Sequence, residues 1–555
     1  MSENPEVSQV DDNVANDGNP IELPDSNVDI ESQKEAIPQK TKKYKRRKQY
    51  FTFLKKLFLP LVAVGLATGV CCGGIIGTYQ FLAELLVDKS KYLFSLVRKD
   101  LRWLPLAFFI DILIGLGIGL ALEWFSEIRG SGIPYIESVA RGNLGLTWYI
   151  SLPAMFVVSL SSLFSGLSLG SEGPSVYLGG CIGYGFAKLI KMNHIHDMLL
   201  VAAGSSAGLA VAFDAPLSGL IFALEEVYRK FSTQIILVSV ICVSVSQIIT
   251  HLIFHPRIML INDIANEKFN IITFLVAIFC GLSGGFMGAL FNLGIRRARN
   301  LYKYAKFLPM KFYVIIPEVL AVVLCTFFPD AGFGGATVLK KVLNNELKVW
   351  EIATCFAIRF ISILICFGSK ASGGIFIPML SIGGLWGGLV AKLMVLAGYD
   401  STRYTYMVLM VMSSFFTGVV RAPLTAVILP VEFTMQFCGW LGPTTAVAWA
   451  YIIAEVMRIE PLYEKLMEAL VEKRDEDELQ DFEEFSFLVT LESMVCGLTV
   501  REVILPEGTL ITHILRDKTP IFPTENTQII DGDEVFFKCS SEEIESAEEQ
   551  MSKLF

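Results

Sequence analysis

Long apolar segments broken by glycine and proline are the feature that most limits what this chain can fold into. Hydrophobic residues make up 53% of its 555 residues, far more than compact soluble domains need to fill a core. A helix that crosses a bilayer needs about 20 predominantly apolar residues. Because shorter apolar pieces lie between the longer ones, we expect an all-α membrane protein with many broken, tilted helices rather than a simple up-and-down bundle. The longer segments are Phe58–Val87, Leu104–Trp124, Trp148–Leu169, Ile235–Phe254, Ile271–Leu293, Phe312–Phe328, Ala353–Phe367, Tyr406–Val420 and Trp440–Met457.

The N-terminal region is polar, acidic and then basic. Its first 39 residues contain no aromatic side chain and lack the pattern of a secretory signal, so we expect residues 1–50 to be disordered. In the run Lys40–Lys48, seven of the nine residues are Lys or Arg. Basic residues beside a membrane span are typical of its cytoplasmic side. This flank is therefore predicted to be cytoplasmic rather than a nucleic-acid-binding arm.

Cysteine and histidine give no sign of a metal or redox site. The eleven cysteines show no C-x-x-C spacing and mostly lie in apolar segments, so we interpret them as small hydrophobic residues. His194 and His196 are interpreted as part of a short loop between helices. No cofactor or metal is expected.

One carboxylate, Glu172, interrupts the apolar middle of the chain within the run Gly170–Val176. A charged side chain at bilayer depth costs about 2.5–3.5 kcal/mol on insertion scales and normally marks a function. Glycines flank it, and Pro174 favours the first turn of a new helix, whose N-terminus attracts anions. Glu172 is thus an anion tethered at an anion site, able to compete with a transported anion or to take a proton.

The chain contains an internal repeat. Gly170, Pro174 and the pair at 179–180 match Gly374, Pro378 and the pair at 383–384 at an offset of 204, and two similar runs beginning at Ala215 and Ala422 follow at an offset of 207. The basic cluster of the first half precedes its first long span, whereas that of the second half follows it. If both clusters are cytoplasmic, the halves, about residues 55–255 and 268–465, form an inverted repeat with a binding site near the midplane. The second cluster comprises Arg296, Arg297, Arg299, Lys303 and Lys306.

Three glycine-rich motifs can meet at that midplane: GSGIP (Gly130–Pro134), GSEGP (Gly170–Pro174) and GGIFIP (Gly373–Pro378). Glycine lets a backbone approach a ligand closely, and Ser131 adds a hydroxyl donor. None of the motifs contains Lys or Arg, and neutral donors suit the passage of an anion better than a full charge, which would hold it too tightly. For each motif alone, a tight helix–helix crossing explains the glycines equally well.

These motifs, in this order, resemble the signature motifs of the CLC family of chloride channels and proton-coupled chloride exchangers, and the resemblance covers roughly residues 51–465. It implies a homodimer in which each subunit has its own anion pathway. It further implies that Ser131, Tyr463 and the backbone amides of Ile375 and Phe376 bind chloride, with Glu172 as the gating and external proton-transfer residue. The supporting motif residues are Gly130, Gly132, Ile133, Pro134, Gly170, Gly173, Pro174, Gly373 and Gly374.

By the same resemblance Glu226 is the internal proton-transfer residue, and this favours a proton-coupled chloride antiporter. The alternative for Glu226 is a surface helix-end acid that pairs with Arg229 or Lys230, which would fit a passive chloride channel. A membrane-embedded ligand sensor is a further alternative of another class. Glu225 and Glu432 occupy equivalent places in the repeats and are interpreted as structural helix-end acids. Ser171 stands where many bacterial exchangers have Arg or Lys, so we expect a less positive outer mouth.

The C-terminal part is predicted to be a separate cytoplasmic unit. Residues 466–485 form an acidic linker, and residues 486–555 form a small α+β domain with strands at Phe487–Leu491 and Glu534–Lys538. This domain resembles the ligand-binding C-terminal subdomain of RCK regulators of potassium transport. The resemblance implies regulation by an unknown small ligand and favours a prokaryotic plasma membrane, with both termini cytoplasmic.

Overall fold

The computed structural model describes residues 59–555 except 192–193, 230–231, 255–269, 305–308, 435–438, 481, 491–492, 504, 507, 517–518, 541–543 and 553. The predictions for residues 1–50, for Lys230 and for Lys306 therefore lie outside the described residues, as do the side chains of His194 and His196.

The first half of the membrane part spans residues 59–253, and the second half spans residues 271–462. The helices are α1 (Leu59–Lys99), α2 (Leu104–Trp124), α3 (Ile133–Ala140), α4 (Trp148–Phe164), α5 (Glu172–Leu189), α6 (His194–Phe213), α7 (Pro216–Phe222), α8 (Thr233–Ile253), α9 (Ile271–Tyr304), α10 (Ile315–Phe327), α11 (Ala336–Leu343), α12 (Val349–Gly368), α13 (Phe376–Leu396), α14 (Tyr404–Val420), α15 (Pro423–Thr434), α16 (Leu441–Val456) and α17 (Leu462–Gln480).

Among the described residues, seven helical segments are long and apolar enough to cross a membrane. The expectation of a helical membrane protein with many short helices between longer ones is confirmed. Several details of the predicted spans are wrong. Phe376–Leu396 is one of the seven, although its glycines had suggested a broken piece. The predicted span at Trp148–Leu169 ends at Phe164, because the chain turns at Gly166, which has a φ of +83°. His194 begins helix α6 rather than lying in a loop.

The two halves are joined by a backbone pairing at the residues that the repeat aligned. Gly170 N–H donates to the Gly374 carbonyl at 2.7 Å, and Gly374 N–H donates to the Gly170 carbonyl at 2.6 Å. Glycine is required here because a Cβ at Gly170 would overlap the carboxylate of Glu172. This exchange places the start of α5 directly against the start of α13.

A second reciprocal contact joins α7 and α15. The Glu225 carboxylate, just after α7, accepts hydrogen bonds from the N–H groups of Leu424 and Thr425 at 2.9 Å each. The Glu432 carboxylate in α15 accepts from the N–H groups of Leu217 and Ser218 at 2.8 and 2.7 Å. Each acid therefore caps the N-terminus of the equivalent helix in the other half, where free N–H groups need acceptors. The interpretation of both as structural helix-end acids is confirmed.

Glycine also allows the closest helix crossing in the first half. A Cβ on Gly179 of α5 would overlap the carbonyl of Gly204 in α6, and the reverse is equally true. In a membrane, where helix association gains little from the hydrophobic effect, such close backbone contact is a main source of packing energy. The α5–α6 pair therefore forms a rigid base behind the start of α5.

The C-terminal domain is a four-stranded antiparallel sheet in the order β1-β4-β2-β3, followed by helix α18. The predicted strand Phe487–Leu491 is wrong in its bounds. The strand begins at Phe482 and ends at Leu488. Its earlier start includes Phe485, which stacks on Phe537 of the neighbouring strand with ring centroids 5.4 Å apart. The other predicted strand, Glu534–Lys538, is confirmed. The elements are β1 (Phe482–Leu488), β2 (Leu510–Arg516), β3 (Thr519–Ile521), β4 (Glu534–Ser540) and α18 (Ile544–Met551).

An ion pair fixes the turn before β4. Arg516 donates from Nε and Nη2 to the two oxygens of the buried Asp533 at 2.8 and 2.7 Å, and the Ile530 N–H donates at 2.9 Å. Burial raises the pKa of a carboxyl group, but these bonds outweigh it and hold the pKa of Asp533 below its ordinary value. The turn before β4 is thus held against β2.

The reciprocal caps predict a stability cost. Glu432→Ala should lower the free energy of unfolding by about 1–3 kcal/mol, because it leaves two N–H groups at the start of α7 without their acceptor. The measurement is thermal unfolding of purified protein in one detergent at fixed pH. The matched control is Glu455→Ala, whose side chain is 59% exposed and pairs with Arg421 at the surface, and whose cost should stay below about 1 kcal/mol. Equal midpoints for the two variants would contradict the capping role.

Candidate functional site

The three glycine-rich motifs meet in the structure. Gly130 N–H donates to the Lys370 carbonyl at 3.0 Å, and Gly373 N–H donates to the Gly130 carbonyl at 3.1 Å. A Cβ on Gly173 would lie 2.6 Å from the Ser131 carbonyl oxygen and 2.8 Å from Gly374 Cα. One residue from each motif is thus in contact with the other two, as the repeat predicts.

Each motif ends where a helix begins. Gly132, with a φ of +76°, precedes α3, Ser171 precedes α5, and Ile375 precedes α13. The prolines Pro134, Pro174 and Pro378 lie in the first turns of these helices. The N-terminal N–H groups of a helix have no partner inside the helix and carry partial positive charge. Three helix starts at one place form a setting that favours an anion.

Two buried hydroxyl groups near the motifs have no hydrogen-bond partner in the described part of the chain. Ser131 is 2% exposed and Tyr463, at the start of α17, is 0% exposed. Neither Ser131 Oγ nor Tyr463 Oη has a hydrogen-bond partner among the described residues. A buried polar atom left without a partner costs about 1–3 kcal/mol, so native proteins rarely keep one without a ligand or water. Both hydroxyls are therefore available to a bound group.

Aromatic rings connect Tyr463 to the third motif. The Tyr463 ring meets Phe222 edge-on with centroids 6.3 Å apart, and Phe222 meets Phe376 edge-on at 5.6 Å. Phe376 also packs against Phe416 at 4.9 Å, and Ile375 and Phe376 are both fully buried. The hydroxyl of Tyr463 and the amides at the start of α13 thus lie in one water-excluded region.

Glu172 is the first residue of α5 and is 1% exposed. Its Oε1 lies 3.5 Å from Ser171 Oγ, and its Oε2 has no partner among the described residues. A Cβ on Gly374 would come within 3.3 Å of that oxygen, and the backbone N–H of Ile377 in the first turn of α13 interacts with the carboxylate. The side chain therefore lies between the two helix starts, where an anion would bind.

A cavity of about 510 Å³ leads to Glu172. Ser171 lines it, and Ser171 Oγ donates to Gln80 Oε1 at 2.9 Å. Charged residues in its wall balance: Lys91, Arg98 and Lys340 against Glu84, Glu172 and Asp330. Only position 171 of this wall was considered from the sequence. The polar residues that α1 contributes to the wall follow helical spacing and could have been recognised from it: Gln80, Glu84, Lys91, Ser95 and Arg98.

Glu226 lies in a short π-helical turn, Ala223–Val227, and is 1% exposed. Arg229 Nη2 lies 3.1 Å from Glu226 Oε1, and Arg229 Nη1 lies 2.9 Å from Glu464 Oε1. The surface-acid alternative for Glu226 included a pairing with Arg229, and this pair is present, but Glu226 is buried rather than at the surface. The turn buries the side chain while Arg229 remains partly exposed.

Two further residues complete this inner acidic cluster, which we define as Glu137, Arg141, Glu226, Arg229 and Glu464. Arg141 pairs with Glu137, which is fully buried, and donates to the Glu226 carbonyl at 3.3 Å. The cluster holds three carboxyl groups and two guanidinium groups. The two positive charges balance two ionised carboxylates, and the third carboxyl group would be neutral if it bound a proton. Glu137, Arg141 and Glu464 were not predicted from the sequence. Two signals could have identified them: Glu464 directly follows Tyr463, and Arg141, the residue after α3, is four residues beyond Glu137.

No group of three or more His, Cys, Asp or Glu side chains within the described residues is arranged to hold a metal ion.

Comparisons with known proteins agree with this geometry. Residues 114–455 match the family described as "Voltage gated chloride channel", and residues 485–552 match the "TrkA-C domain". An H(+)/Cl(-) exchange transporter ClcA of Vibrio cholerae serotype O1 is 30% identical over 424 residues, covering 74% of this chain and 88% of the relative. The protein of the same name from Citrobacter koseri is 30% identical over 386 residues, covering 67% of this chain and 80% of the relative.

A solved structure of a slow cyanobacterial Cl-/H+ antiporter superposes with a TM-score of 0.69 at 27% identity, covering 75% of this chain and 99% of that one. With the seven apolar helices, these matches identify an integral membrane protein. The RCK-like resemblance of the C-terminal domain is confirmed by the TrkA-C match. The chain belongs to the CLC family of voltage-gated chloride channels and their transporter relatives, with a TrkA-C domain at its C-terminal end.

Proposed function

We propose that this protein is a proton-coupled chloride antiporter. The observation that carries the proposal is the position of the Glu172 carboxylate at the paired starts of α5 and α13, beside the exchange between Gly170 and Gly374. A carboxylate held there is a substitute for the transported anion. The site thus can hold either its own carboxylate or chloride.

Chloride binds where neutral donors converge. The proposed donors are the hydroxyls of Ser131 and Tyr463, which lack partners among the described residues, and the amides of Ile375 and Phe376 at the start of α13. Helix N-termini stabilise an anion by partial charges rather than by a full charge, so chloride is held without being trapped.

Proton coupling follows from the competition at Glu172. When the carboxylate takes a proton it loses its attraction to the helix starts and leaves the site, and chloride takes its place. When the proton is released, the carboxylate returns and displaces chloride. Each proton bound at Glu172 therefore accompanies an exchange of the anion at the same position.

The inner acidic cluster supplies the second proton station. Glu226 is buried, yet its partner Arg229 is partly exposed and also pairs with Glu464. Three carboxyl groups share two arginines, so a proton can move between the carboxyl groups without leaving an arginine unpaired. The names and the fold of the relatives described above support the same reaction.

A passive chloride channel of the same fold is the second candidate. The observation that favours it is the 3.1 Å ion pair between Glu226 and Arg229, which would hold Glu226 ionised. The two candidates differ in whether protons cross the membrane.

We further propose that the protein is a homodimer in a prokaryotic plasma membrane with both termini in the cytoplasm. The TrkA-C domain, residues 486–555, regulates transport by binding a small ligand. A ligand can do this only by binding two conformations of the domain unequally.

Glu172→Gln should uncouple transport. Glutamine fills the same space but cannot carry a proton, so proton flux should fall to the level of protein-free liposomes while chloride flux persists. The measurement is paired chloride and pH recording from liposomes under a chloride gradient. The control is Glu84→Gln, an acid in the wall of the same cavity, which should keep both fluxes. Normal proton flux in the Glu172 variant would refute the assignment.

Glu226→Gln should lower proton flux by about 10²-fold or more, as expected for the loss of a proton-transfer group, and leave chloride flux measurable. The same liposome recording applies. Glu468→Gln serves as control, because that side chain is 44% exposed and pairs only with Lys465 among the described residues. If the wild type itself moves no protons, the channel candidate is correct and Glu226 has a structural role.

Truncation after Arg474 tests the regulatory proposal. The cut leaves Tyr463 and all three motifs in place and removes the sheet domain, so the protein should remain dimeric by size and should still move chloride. We expect a changed rate. Truncated protein that fails to assemble, or assembles but is inert, would contradict a purely regulatory domain.

A further inference from the structure

A second pair of acidic residues lies inside the membrane part, away from Glu172 and Glu226. Asp111 of α2 is 6% exposed and Glu318 of α10 is 0% exposed. Both helices belong to segments that are apolar and long enough to cross a membrane. Burying an ionised carboxylate there is costly unless it is paired.

The two carboxyl groups lie close together. Asp111 and Gly115 are four residues apart and share the buried face of α2. A Cβ on Gly115 would lie 2.7 Å from Glu318 Cγ, so Glu318 packs within one helical turn of Asp111. The two acids also interact electrostatically.

Nothing described in the structure neutralises this pair. Among the described residues, neither acid is within ion-pair distance of a Lys, Arg or His, and Asp111 Oδ2 and Glu318 Oε2 have no hydrogen-bond partner. The other titratable groups that face the pair are the thiols of Cys325 in α10 and Cys366 in α12. The neighbouring charged groups have other partners or lie at helix ends. Arg98 donates to the carbonyls of Cys325 and Thr326, and Lys311 Nζ lies over the Phe312 ring, 5.6 Å from its centroid. Lys99 and Asp100 lie at the α1–α2 turn.

The hydroxyl of Ser165 lies between two acceptor oxygens. Ser165 Oγ is 3.0 Å from the Ser162 carbonyl oxygen and 3.0 Å from Glu318 Oε1, and can donate to either. A hydroxyl has one proton to donate, so both contacts cannot be hydrogen bonds while Glu318 is ionised. When Glu318 carries a proton, Glu318 can donate to Ser165 and Ser165 can donate to the carbonyl, and both contacts are then hydrogen bonds.

Asp111 lines a cavity and Glu318 does not. Asp111 lines a cavity of about 620 Å³ whose wall also includes Lys99, Asp100 and Trp103. These three residues are exposed at the turn between α1 and α2. Glu318 lies behind Asp111, outside the cavity wall.

We propose that Asp111 and Glu318 form a proton-binding site between α2 and α10, separate from the ion pathway. Glu318 holds the proton against Ser165, and Asp111 exchanges it with water in the cavity. The proton removes one of two negative charges from an apolar setting. This site does not depend on the proposed transport reaction.

The test is infrared spectroscopy of the full-length protein in lipid, which detects the C=O stretch of a protonated carboxyl group. Subtracting the Glu318→Gln spectrum from that of the wild type at neutral pH should leave one such band. Asp111→Asn should move the pH at which that band disappears downward by about one unit or more, because it removes a neighbouring negative charge. The control is Asp100→Asn, which replaces an exposed acid in the wall of the same cavity. It should change neither the presence of the band nor the pH at which the band disappears.

The absence of the band from the difference spectrum would overturn the proposal, and so would an unchanged pH of disappearance in Asp111→Asn. If Glu318→Gln does not fold, Ser165→Ala tests the assignment of the proton to Glu318 instead. Loss of the hydroxyl partner should shift the frequency of one protonated-carboxyl band, and a spectrum identical to the wild type would overturn the assignment to Glu318.

Discussion

The backbone exchange between Gly170 and Gly374 is the constraint on which the rest of the membrane part depends. Two N–H···O bonds of 2.7 and 2.6 Å join equivalent residues of the two halves. Neither residue can carry a Cβ without displacing Glu172 or the backbone of Gly173. The pairing brings the starts of α5 and α13 together, and two helix N-termini that face each other favour an anion between them.

The reciprocal caps extend the same principle to a second pair of helices. Glu225 and Glu432 each accept two backbone hydrogen bonds from the other half, so neither half can complete its α7 or α15 cap alone. Acids elsewhere in the membrane part are stabilised in different ways. Glu226 and Glu137 lie beside arginines, while Asp111 and Glu318 lie beside each other. Glu225 and Glu432 thus bridge the two halves, whereas Glu226, Asp111 and Glu318, which we propose to bind protons, lie beside an arginine or another acid.

The sequence predicted those parts of the candidate site whose residues are adjacent along the chain. The motifs that contain Ser131, Glu172 and Phe376 could be found from glycine, proline and a lone acid, and the offset of the repeat predicted that Gly170 and Gly374 are equivalent. Contacts between distant segments could not be read in this way. Arg141 reaches the Glu226 carbonyl from 85 residues away, and Glu318 meets Asp111 across two helices whose sequences show only single acids in apolar runs. The start of β1 was misplaced because Phe485 follows an acidic stretch, and only its partner Phe537 shows that it belongs to the sheet.

The central claim is that chloride and proton movements are coupled through one position. The most direct measurement is the reversal potential of the purified wild-type protein in a lipid membrane, first under a chloride gradient and then under a pH gradient at equal chloride. Coupled exchange predicts that the pH gradient alone shifts the reversal potential and that the chloride gradient gives less than the full chloride equilibrium potential. A reversal potential that follows chloride alone and ignores pH would contradict the account.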